Sequence, residues 1–294
     1  MKEVDEGGTY AHGLLFDHSL QLASETRRGG PQTTGEPLQA ESRPLLGSSV
    51  PTALHPETLV IVPAWNECAN IAATVAEIRE QPEQFEVLVV DDGSTDGTGA
   101  VAAAAGARVL TLPFNMGVGG AMRAGFTYAQ RHGFQRAIQV DADGQHNPRD
   151  IAAVLAGLDT ADISIGARFA DVGDYSAKGP RRWAMKLLAG VLSRVAKTTL
   201  TDVTSGFRAA NAVAIDQYVR YYPAEYLGDT VDSLVNALHA GLTVTQVPVA
   251  MRPRAFGRPS QNPIGATVYL TRSVFALSLA LMRGPARPVE AAAS

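Results

Sequence analysis

Cysteine is almost absent from this chain: Cys68 is the only one among 294 residues. A lone thiol excludes an internal disulfide and any zinc site built from clustered cysteines, and it fits a reducing compartment, with the cytoplasm as the default. A basic excess is lacking too. The formal net charge is -4, so the electrostatic footprint of a nucleic-acid binder is missing and no nucleic-acid partner is expected. The first residues do not read as a signal peptide, because Lys2, Glu3, Asp5 and Glu6 mix charges and Leu14 to Phe16 is too short for an apolar core. A clean membrane-spanning run is also wanting. Ile264 to Met282 comes nearest, but Thr271, Arg272 and Ser273 break its centre, and an arginine at bilayer depth costs roughly 2.5 kcal/mol or more.

What remains is a composition of 46% hydrophobic and 18% charged residues, enough for a soluble chain with a full core, one large α/β domain and appendages. Residues 1–56 are rich in Gly, Pro, Ser, Thr and Glu and show neither a period of 2 nor of 3.6. They are expected to be a disordered leader. From Leu59 the pattern alternates. Short apolar runs at 59–62, 87–90, 108–112 and 137–140 read as strands, and 70–80, 99–105 and 119–132 between them read as helices. Such an order predicts right-handed parallel crossovers with helices on both faces of a sheet, and a ligand site outside the carboxyl ends of the strands.

Two strand ends are acidic. The run to Val140 ends on Asp141-Ala-Asp-Gly-Gln-His146, and the run to Val90 ends on Asp91-Asp-Gly-Ser-Thr-Asp-Gly97. Side chains two residues apart in an extended chain point the same way, so Asp141 and Asp143 can offer hard oxygen ligands to one divalent cation that also holds a diphosphate. The plainer alternatives are a loop cap before Pro148 and, at 92–97, a turn with an N-cap. An EF-hand fails at both places, since His146 stands where a glycine is needed and Ala152 and Ala103 where the bidentate Glu belongs. Dinucleotide binding through Gly117-Val-Gly-Gly-Ala-Met122 fails at Met122, the third glycine position.

Together with Val60-Ile-Val-Pro-Ala-Trp-Asn-Glu67, Asn115-Met-Gly-Val-Gly-Gly-Ala121, Gly166-Ala-Arg168 and Thr204-Ser-Gly-Phe-Arg208, these stretches resemble, in order, the family 2 glycosyltransferases of the GT-A fold. The resemblance is closest to the dolichyl-phosphate mannosyltransferase-like and undecaprenyl-phosphate glucosyltransferase-like branch, and it covers about residues 57–260. It implies that Pro63, Ala64, Glu67, Asp91 and Asp92, with Asn115 and Gly117 nearby, hold the nucleoside, and that Asp141, Asp143 and Gln145 hold Mg2+ or Mn2+ and the donor diphosphate. It further implies that Arg168, Ser205 and Arg208 line the acceptor side, where a guanidinium can grip a phosphate. A structural ion pair is the alternative for Arg208. The catalytic set implied is Asp143, Arg208, Asp229 and Asp232. Asp229 and Asp232 are the candidates for a base, or for groups that merely orient when the acceptor is an already ionised lipid phosphate.

The activity implied is the inverting, metal-dependent transfer of mannose or glucose from a GDP-mannose- or UDP-glucose-type donor to a polyprenyl phosphate at the cytoplasmic membrane face. A soluble transferase acting on a small hydroxyl acceptor and a non-catalytic nucleotide-binding scaffold are the competing readings. Residues 261–294 are expected to form an apolar helix and a tail. Flanked by Arg252, Arg254, Arg258, Arg283 and Arg287, that helix would suit an anionic membrane interface, with a core or dimer helix as the alternative. A separate membrane-anchoring protein and a homo-oligomer stay open as partners.

Overall fold

The computed structural model describes residues 57–168, 180–223 and 229–253, the side chains of 180–187 and 229 excepted. All belong to the unit Pro51–Ser294. The expected leader at 1–56, the apolar helix at 264–282 with its flanking Arg254, Arg258, Arg283 and Arg287, and the tail to 294 lie outside the described residues.

Strand β1 (Thr58–Ala64) is buried along almost its whole length, which is why its sequence is a continuous apolar run rather than an alternation. It pairs in parallel with β2 (Glu86–Asp91) and with β4 (Arg136–Gln139), and β2 pairs in parallel with β3 (Arg108–Thr111). Helices α1 (Ile71–Arg79), α2 (Thr98–Ala104) and α3 (Gly117–Arg131) make the crossovers. After α4 (Ile151–Ala156) come β5 (Ile163–Arg168), α5 (Pro180–Ala196), β6 (Arg208–Asn211), α6 (Ala212–Tyr221), α7 (Asp229–His239) and β7 (Val244–Val249). The sheet has seven strands in the order β3-β2-β1-β4-β6-β5-β7.

The sheet is mostly parallel, as the GT-A resemblance implies, with one exception. β6 runs antiparallel to both β4 and β5. The loop that precedes it supplies Thr204 and Gly206 to a cavity shared with Pro63 and Asp141, so the chain enters β6 from the carboxyl end of the parallel strands and must run back.

The sheet separates two cores, and strand periodicity decides which residue serves which. Leu59, Ile61, Leu88 and Val90 pack with Met122 and Phe126 of α3, Leu188 of α5, Ile215 of α6 and Leu234 of α7. Val60, Val62, Val87 and Val89 pack with Ile71, Val75 and Ile78 of α1, Ala102 of α2 and Ile151 of α4. Each fully buried side chain of this size stabilises the fold by roughly 1.5–3 kcal/mol. The same alternation, carried past the strand ends, aims the acidic residues.

Candidate active site

A cavity of about 330 Å3 opens at the carboxyl ends of β1 and β4, within the size range of small-ligand sites. Of the expected site residues, Pro63, Ala64, Glu67, Asp92, Asn115, Gly117, Asp141 and Asp143 line it. The alternation in β2 explains why Asp92 does so and Asp91 does not. Asp91 continues the face of Val87 and Val89; it is buried against Gly99 of α2 and accepts the Ser94 amide at 3.0 Å. Asp92 takes the other face and accepts the Met116 amide at 2.7 Å, just before α3 begins. Burial raises the Asp92 carboxyl above the usual carboxylate range, against the lowering effect of the Met116 and Gly117 amides. Gly93 follows at φ 71°, and a Cβ there would stand 2.7 Å from the Phe114 carbonyl carbon. Only glycine lets these two loops touch.

The loop after β1 is laced to the loop after β2. Asn66, at φ 54°, donates its amide to Ser94 Oγ and accepts the Thr95 amide on Oδ1. The Glu67 amide donates to Thr98 Oγ1, and the Cys68 amide to Asp96 Oδ2. Burial opposes ionisation of Asp96, but the hydrogen bonds from Thr98 and Cys68 outweigh it and hold its carboxyl below the ordinary value. The 92–97 stretch is therefore a turn whose side chains tie down the loop after β1, with Gly97 rather than a polar side chain at the N-cap of α2, and of its residues Asp92 lines the cavity.

At the opposite wall, the carboxylate of Asp141 is 37% exposed and receives Gln139 Nε2 on Oδ1 at 2.8 Å. Asp143 Oδ1 accepts the Gln145 amide at 3.0 Å. The Gln145 side chain is not among those lining the cavity. Gly206 presses close: a Cβ at that position would lie 2.9 Å from Gln139 Nε2 and about as near as van der Waals contact to both Asp141 oxygens. A larger residue would fill the space in front of the carboxylate.

Of the residues expected on an acceptor side, Arg168, Ser205 and Arg208, none lines the cavity, and the surroundings of Arg208 differ from the expectation. Its guanidinium is buried and donates to three backbone carbonyls: Nε to Ser205 at 2.8 Å, Nη1 to Thr230 at 2.6 Å and Nη2 to Val203 at 2.6 Å. These bonds tie the loop 203–205 to the start of α7 and engage three of the five guanidinium donors within the fold, and Arg208 is not among the residues that line the cavity. Neither a phosphate ligand nor the alternative ion pair describes this carbonyl clamp. Ser205 is also buried and accepts the Phe207 amide. Arg168 pairs with Asp202, Nε to Oδ2 at 2.8 Å. Burial works against ionisation of Asp202, but Arg168 and the Thr204 donors overcome it and keep its carboxyl below the usual range. Thr230 lines the cavity, so α7 starts at its edge. Asp232 lies in the first turn of that helix, and the side chain of Asp229 is outside the described residues.

Several residues at the cavity escaped the sequence reading: Trp65, Val118, Gln139, Thr204, Gly206 and Thr230. Gln139 was within reach of the same period-2 argument that selected Asp141. Asp202 offered no local signal, because its partner is 34 residues away.

Residues 59–219 match the family model described as glycosyl transferase family 2. The polyprenol monophosphomannose synthase of Mycolicibacterium smegmatis is 31% identical over 225 residues, 70% of this chain and 82% of that protein. The undecaprenyl-phosphate mannosyltransferase of Micrococcus luteus is 31% identical over 69% of this chain and 87% of that one. Among solved structures, glucosyl-3-phosphoglycerate synthase from Mycobacterium tuberculosis, in complex with Mn2+, UDP and glucosyl-3-phosphoglycerate, superimposes with a TM-score of 0.58 at 20% identity, over 78% of this chain and 81% of that one. That likeness shows a shared GT-A fold.

Proposed function

Because the chain belongs to glycosyl transferase family 2, we propose that it moves a hexose, mannose or glucose, from a nucleotide-diphosphate sugar to a polyprenyl phosphate, with inversion and with a divalent cation. The observation that carries this reading is the convergence of Asp141 and Asp143 on one cavity with Asp92, Asn115 and the start of α3. The polyprenyl-phosphate acceptor is supported by the names of the two mannosyl-transferring relatives.

Asp141 and Asp143 fit a divalent cation. Mg2+ or Mn2+ sites of this kind need only one or two carboxylates, with donor phosphate oxygens and water filling the remaining positions. Asp141 keeps its exposed edge toward the cavity while a neutral amide holds the other oxygen. When bound, the cation would neutralise charge developing on the leaving nucleoside diphosphate.

The chain's own groups do the rest. Asp92 and Asn115 fix the entry to α3, whose first residues Gly117 and Val118 border the cavity and whose amino-terminal amides favour an anionic donor. Gly206 leaves room for the sugar beside Asp141. The Arg168–Asp202 pair and the Arg208 clamp hold the loop carrying Thr204 and Gly206 in place. A lipid phosphate is ionised near neutral pH and needs no base, so Asp229 and Asp232 at the start of α7 would orient the acceptor. Among the described residues no helix is long and apolar enough to cross a membrane. In this reading, access to a lipid acceptor comes from peripheral association at the cytoplasmic face, through the 264–282 segment or a separate anchoring protein.

The test is a panel of GDP- and UDP-sugars incubated with and without polyprenyl phosphate, in Mg2+, Mn2+ or EDTA. Transfer should need the lipid phosphate and the cation, and an α-configured donor should give a β-linked product. Efficient glycosylation of a water-soluble hydroxyl compound without vesicle association, abolished by Asp229→Asn or Asp232→Asn, would overturn the acceptor assignment.

A further inference from the structure

We propose that His146 is a positioning residue that fixes both the backbone and the carboxylate of Asp141, so that this side chain is pre-aimed before donor or cation arrives. The inference rests on the reading of Asp141 as a cation and diphosphate ligand and adds the group that orients it.

The imidazole is 4% exposed and stacks on Phe207, with ring centroids 4.8 Å apart and planes 14° from parallel. Phe207 is itself fully buried, so the ring plane of His146 is set by packing. Its two nitrogens then face one residue. Nδ1 accepts the Asp141 amide at 2.9 Å, which places the ring proton on Nε2. Nε2 lies 3.5 Å from Asp141 Oδ2, an electrostatic contact just beyond hydrogen-bond length. Gln139 holds the other oxygen. The carboxylate is thus bracketed by the Gln139 amide, which donates to it, and by the His146 ring edge, and its free edge is left toward the cavity.

A histidine buried only for packing would satisfy its nitrogens wherever partners happened to be. Here both are committed to Asp141, the more exposed residue of the acidic pair: Nδ1 to its backbone amide and Nε2 to its carboxylate. Ligating carboxylates are commonly held by such outer partners, and the orientation of the ligand depends on them.

His146 is in turn anchored from outside the loop. Its backbone bridges antiparallel to Met251 just beyond β7, and the Arg252 amide donates to the Gln145 carbonyl at 2.9 Å. The Arg252 guanidinium reaches Asn147 Oδ1 and Glu77 Oε2, each at 2.6 Å. A strap leaving β7 therefore ties the Gln145 backbone and the Asn147 side chain, on either side of His146, to helix α1, and the position of the imidazole is inherited from rigid elements.

Three substitutions separate the two ring nitrogens. His146→Phe keeps the stack and removes both. His146→Asn retains an acceptor near the Nδ1 position, and His146→Gln retains a donor near Nε2. In the metal-free protein, nitrogen-detected spectra should show the proton on Nε2, and the Asp141 amide should be protected from hydrogen exchange. That protection should be lost in His146→Phe and kept in His146→Asn.

Mn2+ affinity, read by the free-ion paramagnetic signal with Mn2+ alone and with Mn2+ plus UDP or GDP, should weaken by roughly 10- to 100-fold in His146→Phe, as for other outer partners of metal ligands. The melting temperature should change little, and the rise should appear in KM for the donor more than in kcat. At least one of the Asn and Gln variants should recover much of the loss. Mn2+–nucleotide binding unchanged in His146→Phe overturns the proposal, as does a loss that neither variant rescues and that tracks the melting temperature. Should His146→Phe fail to fold, unequal Mn2+ affinities of the Asn and Gln variants at equal melting temperature support it, and equal affinities overturn it. Asp141→Asn is the control for the underlying site. If Asp141→Asn still binds Mn2+–nucleotide normally, the site reading fails; if it does not while the His146 variants behave as the unsubstituted chain, only the positioning role fails.

Discussion

Replacing Arg208 by Met discriminates between a side chain that grips an acceptor and one that holds the site together. The structure predicts a large loss of stability. Three hydrogen bonds run from the guanidinium to carbonyls at 2.6–2.8 Å. Hydrogen bonds to charged groups contribute roughly 1.5–3 kcal/mol each, so the gross contribution is about 5–9 kcal/mol. Burying the charge costs several kcal/mol in return, and removing one partner from a buried charged network typically costs about 3–5 kcal/mol net. Methionine fills similar volume but leaves the carbonyls of Val203, Ser205 and Thr230 without their donor.

A domain of this size loses about 2–4 °C of melting temperature per kcal/mol, so the midpoint should fall by about 6–20 °C. The assay is thermal unfolding by circular dichroism, with donor and acceptor KM measured well below the lowered midpoint. Both KM values should rise, because the loop 203–206 and the start of α7 bring Thr204, Gly206 and Thr230 to the cavity, with Gly206 against Gln139 and Asp141. A midpoint within about 2 °C of the unsubstituted chain, with a selective rise in acceptor KM, would refute the carbonyl-clamp argument and restore Arg208 as a phosphate ligand.

Asp141→Ala or Asp143→Ala should abolish transfer while leaving the melting temperature within a few degrees, and excess EDTA should do the same to the unsubstituted chain; Mn2+ with the correct nucleotide at about 100 times its Kd should stabilise it by about 2.7 kcal/mol, a shift absent from both variants. Gly93→Ala should cost roughly 2–5 kcal/mol, combining the left-handed backbone penalty with a clash against the Phe114 backbone, and an unchanged urea midpoint would contradict it. Asp202 titrates below its unfolded value. Its contribution is thus fully present above the unfolded pKa of about 3.9 and is lost as pH falls through that value toward the depressed folded one. Asp202→Asn should therefore be less stable by a constant amount between about pH 5 and 8, and the gap should close below about pH 4 in a urea-midpoint series. A gap that widens on acidification would reverse the sign.

The parallel half of the sheet was legible because its signals are local. The apolar runs at 59–62, 87–90, 108–112 and 137–140 appear as β1 to β4 with ends shifted by one or two residues, and Ile71, Val75 and Ile78 form the buried stripe of α1. The direction of β6 was not legible. Its four residues, Arg-Ala-Ala-Asn, would satisfy either orientation, and what reverses it is the side of the sheet from which the preceding loop arrives.

The site divides along the same physical line. Asp141 and Asp143 could be read from a strand end, and the same period of two, applied to Asp91 and Asp92, was sufficient to send only Asp92 toward the cavity. Treating both as nucleoside contacts left that argument half used. His146 and Arg208 lie beyond any periodicity. Four residues, among them a left-handed glycine at 144, separate His146 from Asp141, and the loop doubles back so that a ring nitrogen meets a backbone amide. Arg208 sits in a motif whose resemblance suggested phosphate, yet the carbonyls it holds come from two segments that only the folded chain brings together. A guanidinium looks the same in sequence whether its partners are a ligand's oxygens or the protein's own. The number of donors already satisfied in the fold decides between them.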